Sequence, residues 1–231
     1  MLHTRSEWKF ICTDSQLELI HSRLSSVLSH DSHANKDGIY HVHSLYFDDY
    51  RNSCAAGNES GDGLRYKYRV RYYNDHADCL YLEKKEKRFG LGCKRKCNLS
   101  AEEYQALLSG HVSSMICRTD KQLLKEFGSQ VVTRLFTPKA IIDYDRIAFS
   151  EPLSHIRITL DQNITVGNDC TAFTSGKYSR FPVQAFHENI LEVKFDDYFP
   201  GWLRKMLDSM NLQQTTFSKY YLGRKKLENL I

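Results

Sequence analysis

Long apolar runs are missing from this chain. No segment approaches the roughly 18 consecutive apolar residues that mark a membrane-spanning helix. The first residues, Met1 to Arg5, lack the hydrophobic region of a signal peptide. Prolines (4) and glycines (12) are few among the 231 residues, so flexible linkers are not expected. We therefore expect a cytoplasmic protein with no transmembrane segment of its own, in which residues 1–231 form a single domain.

The seven cysteines form neither a disulfide pattern nor a metal-ligand pattern. Their number is odd, the closest pair is Cys93 and Cys97, and no CxxC motif is present. Cysteines spaced in this way predict reduced thiols and give no indication of a zinc site.

Aromatic residues, by contrast, are plentiful. The 14 tyrosines and 12 phenylalanines favour β-strands. The net charge of +4 does not by itself indicate a nucleic-acid partner, because a modest net charge can hide one strongly positive cleft. The placement of the charges is therefore the informative feature.

Strand patterns predominate along the sequence. Helical spacing of apolar residues is confined to a few segments, namely 15–29, the segment from Ser100 to Gly110, 119–135, and a helix that starts at Pro200. Alternation of apolar and polar residues predicts eight strands, at about 5–12, 41–49, 64–73, 79–88, 92–98, 139–149, 155–161 and 189–196. The segments 31–38, 50–63, 74–78 and 167–187 have the composition of loops. Because strands and helices do not alternate regularly, an antiparallel sheet is favoured.

The alternating faces of these strands carry the functional signal. Side chains two residues apart share one face of a strand, so Arg65, Lys67, Arg69 and Arg71 lie together. Five other strands pair a polar face with a largely apolar one, through Glu7 and Lys9, Glu83 and Lys85, Tyr144 and Arg146, Arg157 and Thr159, and Glu192 and Lys194. An ordinary antiparallel sheet turns such a face to water.

Four basic residues in strict alternation repel one another unless an anion lies between them. We therefore predict an α+β protein whose antiparallel eight-stranded sheet closes into a barrel, a β-tunnel with a polar, basic lumen flanked by amphipathic helices. Such a lumen suits a chain of phosphates, because arginine forms bidentate contacts with phosphate oxygens and lysine adds a mobile charge. Carboxylates among the cations would hold Mg²⁺ or Mn²⁺ or orient the bases. Phosphoryl transfer needs mainly positioning and neutralisation of charge.

An ordered set of motifs adds a family resemblance. The motifs are Arg5-x-Glu7-x-Lys9, Ser44-Leu45-Tyr46-Phe47-Asp48, Lys67-x-Arg69-x-Arg71, Leu82-Glu83-x-Lys85, Lys94, Tyr144-x-Arg146, Arg157-x-Thr159-x-Asp161, Leu191-Glu192-x-Lys194 and Phe217-Ser218-Lys219-Tyr220. In this order the chain resembles the VTC-type polyphosphate polymerase domains of the triphosphate tunnel metalloenzyme (CYTH-like) superfamily. The resemblance runs from Arg5 to about Gly223.

The resemblance implies a function and a set of site residues. ATP would donate its γ-phosphoryl group to a growing polyphosphate chain, with Mn²⁺ or Mg²⁺ as cofactor and phosphate or polyphosphate as acceptor. The residues implied for the phosphate path are Lys9, Arg69, Arg71, Lys85, Lys94, Arg146, Arg157, Lys194 and Lys219. Tyr144, Ser218 and Lys67 would contact the substrate. Glu192 would bind the metal, and Glu7 and Glu83 would orient the bases or assist the metal.

Two departures from the family pattern bear on activity and regulation. Thr216 stands where the eukaryotic members carry a basic residue, which removes one phosphate contact. The sequence also contains no phosphate-sensing helical domain before the tunnel and no transmembrane part after it. Translocation of the product would therefore need a membrane partner protein.

Two other functions remain open, and a third is disfavoured. A triphosphate hydrolase could use the same tunnel, although such relatives favour an opening strand rich in glutamate where this chain has Arg5. A non-catalytic polyphosphate-binding module would keep the basic residues and lose the metal site, and Glu192 speaks against it. A nucleic-acid partner is not expected, because the interspersed carboxylates would repel a sugar-phosphate backbone.

Overall fold

The computed structural model describes residues 6–31, 38–89, 91–151, 155–185, 187–196 and 198–230. Within them the strands are β1 (Ser6–Thr13), β2 (Ser29–His30), β3 (Ile39–Asp48), β4 (Leu64–Tyr73), β5 (Leu80–Arg88), β6 (Leu91–Leu99), β7 (Thr137–Glu151), β8 (Ile156–Gly167), β9 (Phe181–Pro182), β10 (Glu188–Phe195) and β11 (Gln213–Gln214). The helices are α1 (Asp14–Ser25), α2 (Ser53–Glu59), α3 (Ala101–Ser109), α4 (Ser113–Arg118), α5 (Gln122–Arg134), α6 (Gly201–Asp208) and α7 (Lys219–Glu228), and a 3-10 helix spans Cys170–Ser175.

The chain divides into two compact units, and four strands (β3, β7, β8 and β9) contribute residues to both. Unit 1 comprises Met1–His41, Tyr144–Ile164 and Pro182–Phe217, and unit 2 comprises Val42–Asp143, Thr165–Phe181 and Ser218–Ile231. The strand order in unit 1 is β11-β1-β10-β8-β7. The order in unit 2 is β7-β3-β4-β5-β6.

The sheet of unit 1 has one apolar face, which packs against α1 and α6. Leu17, Ile20 and Leu24 of α1 recur at helical spacing and are buried. They join Leu203 of α6 and the inward side chains of β1, β8 and β10 in one core. Burial of each such side chain contributes about 1.5–3 kcal/mol, so this core fixes which face of each strand turns away from the helices.

Unit 2 builds its core from aromatic rings. Phe127 of α5 stacks on Tyr68 of β4 at 4.4 Å between ring centroids. It meets Phe47 of β3 edge-on at 5.2 Å, a geometry that aromatic pairs prefer. Tyr68, Val70 and Tyr72 are buried on this side of β4. The arginines between them therefore point to the opposite face.

The helix predicted after Ser100 is confirmed in detail. The Ser100 side chain accepts a hydrogen bond from the backbone of Glu103, and the Glu103 side chain accepts one from the backbone of Ser100. The helix ends at Gly110, which adopts the left-handed conformation (φ 77°) that glycine tolerates best. Local sequence chemistry is therefore sufficient to specify α3.

The prediction of a closed eight-stranded barrel is wrong in two respects. All eight predicted strands are present, but β2, β9 and β11 bring the total in the described residues to eleven. Strands β11 and β6 lie at the two ends of the hydrogen-bonded order, so backbone hydrogen bonds between described residues do not close the sheet. The three extra strands have two residues each, too few to show a period-two pattern.

Two loop predictions also need correction. The predicted loop 50–63 contains α2, and the predicted loop 167–187 contains the 3-10 helix. The predicted helix 119–135 is confirmed as α5 (Gln122–Arg134), and α4 (Ser113–Arg118), which was not predicted, precedes it and ends at the extended Thr119 (ψ 144°). None of the helices in the described part of the chain has the length and apolar content needed to cross a membrane.

Candidate functional site

The polar face of unit 1 carries charges in register across neighbouring strands. Lys9 of β1 lies opposite Glu192 of β10, and Glu192 lies opposite Thr159 of β8. In the next row, Lys194 lies between Glu7 and Arg157. Directly opposed residues point to the same face of a sheet, so the sequence-predicted alternation is confirmed for these strands.

Glu192 is the buried carboxylate of this face. Glu192 is 6% exposed, and one of its carboxylate oxygens forms an ion pair with Lys194. Lys9 lies 3.0 Å from Glu7 and donates a hydrogen bond to the backbone oxygen of Phe217 at 2.8 Å. Burial alone would lower the pKa of Lys9, but the charges of Glu192 and Glu7 outweigh it and raise the pKa. Lys9 therefore stays charged at neutral pH.

Arg146 and Arg157 are each held by a carboxylate. Arg146 donates from Nε and Nη2 to the two oxygens of Asp161, at 2.6 and 2.7 Å, and its guanidinium lies 5.1 Å from the ring centroid of Tyr144. Arg157 donates to Asp31 at 2.7 Å and to the hydroxyl of Tyr40 at 3.0 Å. Glu7, Lys9, Tyr144, Arg146, Arg157, Thr159, Asp161, Glu192 and Lys194 are called the Glu192 cluster below.

The polar face of unit 2 is more strongly basic. Lys67 of β4, Lys85 of β5 and Lys94 of β6 lie directly opposite one another in one row across the three strands. Like charges placed in this way destabilise a sheet. In the adjacent row Arg69 lies between Tyr46 and Glu83.

Glu83 lies close to three cations, Arg69, Arg71 and Lys94. It is 2% exposed. Arg69 donates to it from Nε at 2.8 Å, Lys94 lies 2.5 Å from its other oxygen, and Arg71 lies 3.9 Å away. Burial would raise the pKa of Glu83, but the charges of Arg69, Arg71 and Lys94 lower it well below its usual range. Glu83 is therefore an anion that orients the bases around it.

The start of α7 joins the same face. Lys67 donates hydrogen bonds to the Ser218 hydroxyl at 2.8 Å and to the Asn58 side chain at 2.9 Å. Ser218 caps α7 and accepts a hydrogen bond from the backbone of Tyr221, and Lys219 is the first residue of the helix. Lys67, Arg69, Arg71, Glu83, Lys85, Lys94, Ser218 and Lys219 are called the Glu83 cluster below.

The other face of β5 holds a separate ion-pair network. Lys84 lies 2.6 Å from Glu126 of α5 and 2.7 Å from Glu86, and Arg95 lies 2.7 Å from Glu126. Lys84 is 8% exposed. Lys84 therefore ties α5 to the sheet through a partly buried ion pair.

The two clusters include all the predicted site residues, Lys219 only through its place beside Ser218 at the start of α7. The Glu192 cluster also contains Thr159 and Asp161, and the Glu83 cluster is joined by Tyr46, none of which was predicted as a site residue. The alternating pattern could have indicated these residues, because side chains two residues apart share one face of a strand. Tyr46 is two residues from Ser44, and Asp161 is two from Thr159. Arg5, which the resemblance includes, lies outside the described residues.

The Glu192 cluster offers the types of oxygen donor that a hard divalent cation prefers. Glu192 and Glu7 are carboxylates, the ligands that Mg²⁺ and Mn²⁺ prefer. The buried hydroxyl of Thr159, opposite Glu192, has no hydrogen-bond partner among the described residues. Within the same residues, no group of three His, Cys, Asp or Glu side chains is placed to hold a metal.

The described residues define an α+β protein with an antiparallel sheet, and in each of its two units a polar face carries arginines and lysines held by buried carboxylates. The chain belongs to the VTC domain family, whose family profile matches residues 4–228. The predicted family resemblance is thereby confirmed.

Solved structures support the fold. A crystal structure of a putative adenylate cyclase from Bacillus halodurans is similar with a TM-score of 0.55 and 10% identity, over 94% of this chain and 94% of that one. The PH1819 protein from Pyrococcus horikoshii OT3 is similar with a TM-score of 0.50 and 12% identity, over 96% of this chain and 99% of that one. At these identities the similarity concerns the fold alone. No curated protein matches this chain.

Proposed function

We propose that this protein transfers the γ-phosphoryl group of ATP to a growing polyphosphate chain, with Mg²⁺ or Mn²⁺. Membership of the VTC domain family supports this proposal. The observation that carries it is the row of Lys67, Lys85 and Lys94 in register across three strands. Like charges in register cost stability, and a phosphate chain bound to this face would neutralise them.

The Glu83 cluster supplies the kind of charge that phosphoryl transfer uses. The transferred group carries negative charge on its equatorial oxygens, and catalysis consists mainly of positioning and charge neutralisation. Arg69 and Arg71 are pre-oriented, since Glu83 and Ser44 hold their Nε atoms at 2.8 and 2.9 Å. Guanidinium groups held in this way contact phosphate oxygens without further loss of side-chain entropy.

We assign the residues of the Glu192 cluster to further phosphate contacts and to the metal. Lys9, Arg157 and Lys194 would contact phosphate oxygens, with Arg146 behind them held by Asp161. Glu192, with Glu7, would hold the divalent cation, and Glu83 orients bases instead. Mg²⁺ is commonly held by one or two carboxylates together with substrate phosphates. When bound, the metal would neutralise charge on the phosphates.

No protein nucleophile is needed in this proposal. The acceptor is a terminal phosphate oxygen, which attacks the γ-phosphorus as the bond to the β-γ bridging oxygen breaks, and ADP leaves. The protein residues bind and orient both phosphate groups. Tyr144 in the Glu192 cluster and Ser218 in the Glu83 cluster would each donate a hydrogen bond to phosphate oxygens bound at its own cluster.

One assay separates this proposal from its rivals. The purified protein is incubated with ATP and Mn²⁺, and the products are analysed by polyphosphate gel staining and by a free-phosphate assay. Long chains support the polymerase. Free phosphate without chains indicates a hydrolase, and binding of polyphosphate without either product indicates a binding module. Absence of both products and of binding would overturn the phosphate assignment itself.

Matched variants test the site assignment. Arg69→Ala and Glu192→Gln should each lower turnover by about 10²–10³-fold, as is typical when one electrostatic donor or metal ligand is lost. The controls are Arg88→Ala, whose side chain is 64% exposed on the same sheet, and Glu188→Gln, which is exposed at the start of β10. Activity unchanged in both site variants would overturn the assignment.

A further inference from the structure

Tyr46 is a buried phenol placed among the cations of the Glu83 cluster. It lies on β3 directly opposite Arg69 and is 6% exposed. Its hydroxyl accepts a hydrogen bond from Nη1 of Arg69 at 2.7 Å. The guanidinium carbon of Arg69 lies 5.6 Å from the centroid of the Tyr46 ring. The hydroxyl of Tyr46 therefore lies in a polar environment, while its ring is packed against neighbouring side chains.

The charges that act on Tyr46 are cations of the neighbouring strand. Strand β4 contributes Lys67, Arg69 and Arg71, and Arg69 is in turn paired with Glu83 of β5. From α7, the Tyr220 ring stacks on Tyr46 at 4.8 Å between centroids. The Tyr220 hydroxyl donates to Asp48 at 2.7 Å and accepts from Arg224 at 3.1 Å.

This setting changes the ionisation of the phenol. Burial raises the pKa of Tyr46, but the charges of Arg69, Arg71 and Lys67 and the hydrogen bond from Arg69 outweigh it and lower the pKa to about 7. An ionised phenol at this position would add a negative charge beside that of Glu83.

We propose that Tyr46 is a phosphate-binding residue that binds its ligand together with a proton. Without ligand, the ionised phenol neutralises part of the cation charge and accepts the hydrogen bond from Arg69. A polyphosphate group on the same cations repels the phenolate, which takes a proton from solvent and donates a hydrogen bond to a phosphate oxygen. The inference rests on the proposed function, since it takes a phosphate chain as the ligand of the Glu83 cluster.

The proposal has a quantitative consequence. A phenol with a pKa near 7 is about half ionised at pH 7. Ligand binding that returns this pKa towards its usual value of roughly 10 takes up about half a proton per site at that pH. Lys94 contributes little at pH 7, because its pKa of about 8 leaves it mostly protonated. The difference in proton uptake at pH 7 between the wild type and a variant without this phenol therefore reports mainly on Tyr46.

The first measurement needs no ligand. Tyrosinate absorbance in the near ultraviolet is followed while the free protein is titrated with base. We expect the wild type to show one phenol that titrates near pH 7 and expect Tyr46→Phe to lack it. Tyr50→Phe, which removes a residue that is 58% exposed, should retain it. If no phenol of the wild type titrates near pH 7, the inference is overturned, whatever the protein binds.

The second measurement tests the coupling. Calorimetric titration with tripolyphosphate at pH 7, in two buffers of different ionisation enthalpy, gives the number of protons taken up on binding. Tripolyphosphate also exchanges protons when it binds, and Tyr46→Phe measures that background. We expect the wild type and Tyr50→Phe each to take up about half a proton more than Tyr46→Phe. Equal uptake by all three would overturn the coupling. If a phenol titrates near pH 7 but the protein binds no tripolyphosphate, the proposed function is overturned instead.

Discussion

Asp161 holds the guanidinium of Arg146 with both of its carboxylate oxygens. The donors are Nε and Nη2, at 2.6 and 2.7 Å, and the side chains are 9% and 0% exposed. The charges on both residues are thus taken out of water, and each depends on the other for compensation. The charge of Asp161 also raises the pKa of Arg146, against the lowering effect of its burial.

Loss of the Asp161 charge should therefore destabilise the fold. We expect Asp161→Asn to lower the free energy of unfolding by about 3–5 kcal/mol, because it leaves a buried arginine uncompensated. Urea denaturation of the wild type and the variant measures this difference. Asp78→Asn, at an exposed position, should change stability by less than about 0.5 kcal/mol. A similar small change for Asp161→Asn would contradict the prediction.

Lys94 should make phosphate binding sensitive to alkaline pH. Partial burial and the charges of Arg69 and Arg71 lower its pKa to about 8, although the ion pair with Glu83 opposes them. Lys94 is therefore charged below pH 8 and loses its charge above it. We expect the affinity for tripolyphosphate to fall by up to about tenfold for each pH unit above 8.

The Lys94 measurement is best made in the Tyr46→Phe background, so that the phenol does not add to the pH dependence. In that background Lys94→Arg should bind with nearly constant affinity over the same pH range, because arginine stays charged. The same decline in the arginine variant would show that another group is responsible.

Tyr220 should stabilise unit 2 through Asp48. The buried carboxylate of Asp48 accepts the Tyr220 hydroxyl at 2.7 Å and the backbone N–H groups of Cys54 and Ala55 at the start of α2. We expect Tyr220→Phe to lower the free energy of unfolding by about 1.5–3 kcal/mol, the range for a hydrogen bond to a charged group.

A neighbouring tyrosine provides the control for this prediction. Tyr221 also donates to a carboxylate, Glu59, at 2.6 Å, but that contact is exposed. Tyr221→Phe should therefore change stability by less than about 0.5 kcal/mol. Thermal or urea denaturation of the two variants measures the difference. Equal losses of stability in the two variants would mean that burial of the Asp48 carboxylate does not strengthen its hydrogen bond with Tyr220.

Local patterns predicted much of this structure because they depend on neighbouring residues. The capping box of Ser100 and Glu103 satisfies the first backbone groups of α3 from within the helix itself. The alternation in β4 places Arg69 and Arg71 opposite the aromatic core residues, since side chains alternate faces along any strand. Both features are visible in the sequence without knowledge of the fold.

Helix α2 was missed for the opposite reason. Its sequence, SCAAGNE, is short and includes Gly57, so its intrinsic tendency to form a helix is weak. Asp48 and Asp49 accept the hydrogen bonds of its first turn, and the Tyr220 hydroxyl, far along the chain, holds Asp48 in place. A local pattern carries no information about such a partner.

The amino-acid sequence alone determined which residues are strand and helix formers, which faces are polar, and that arginine and lysine alternate on them. Only the tertiary structure decided the partners: Glu83 with Arg69 and Lys94, Asp161 with Arg146, and Tyr46 beside Arg69. The physical reason is strand register. A slip of one residue would turn every side chain of a strand to its other face, and it is the packed cores of the two units, with the turns between strands, that exclude the slip.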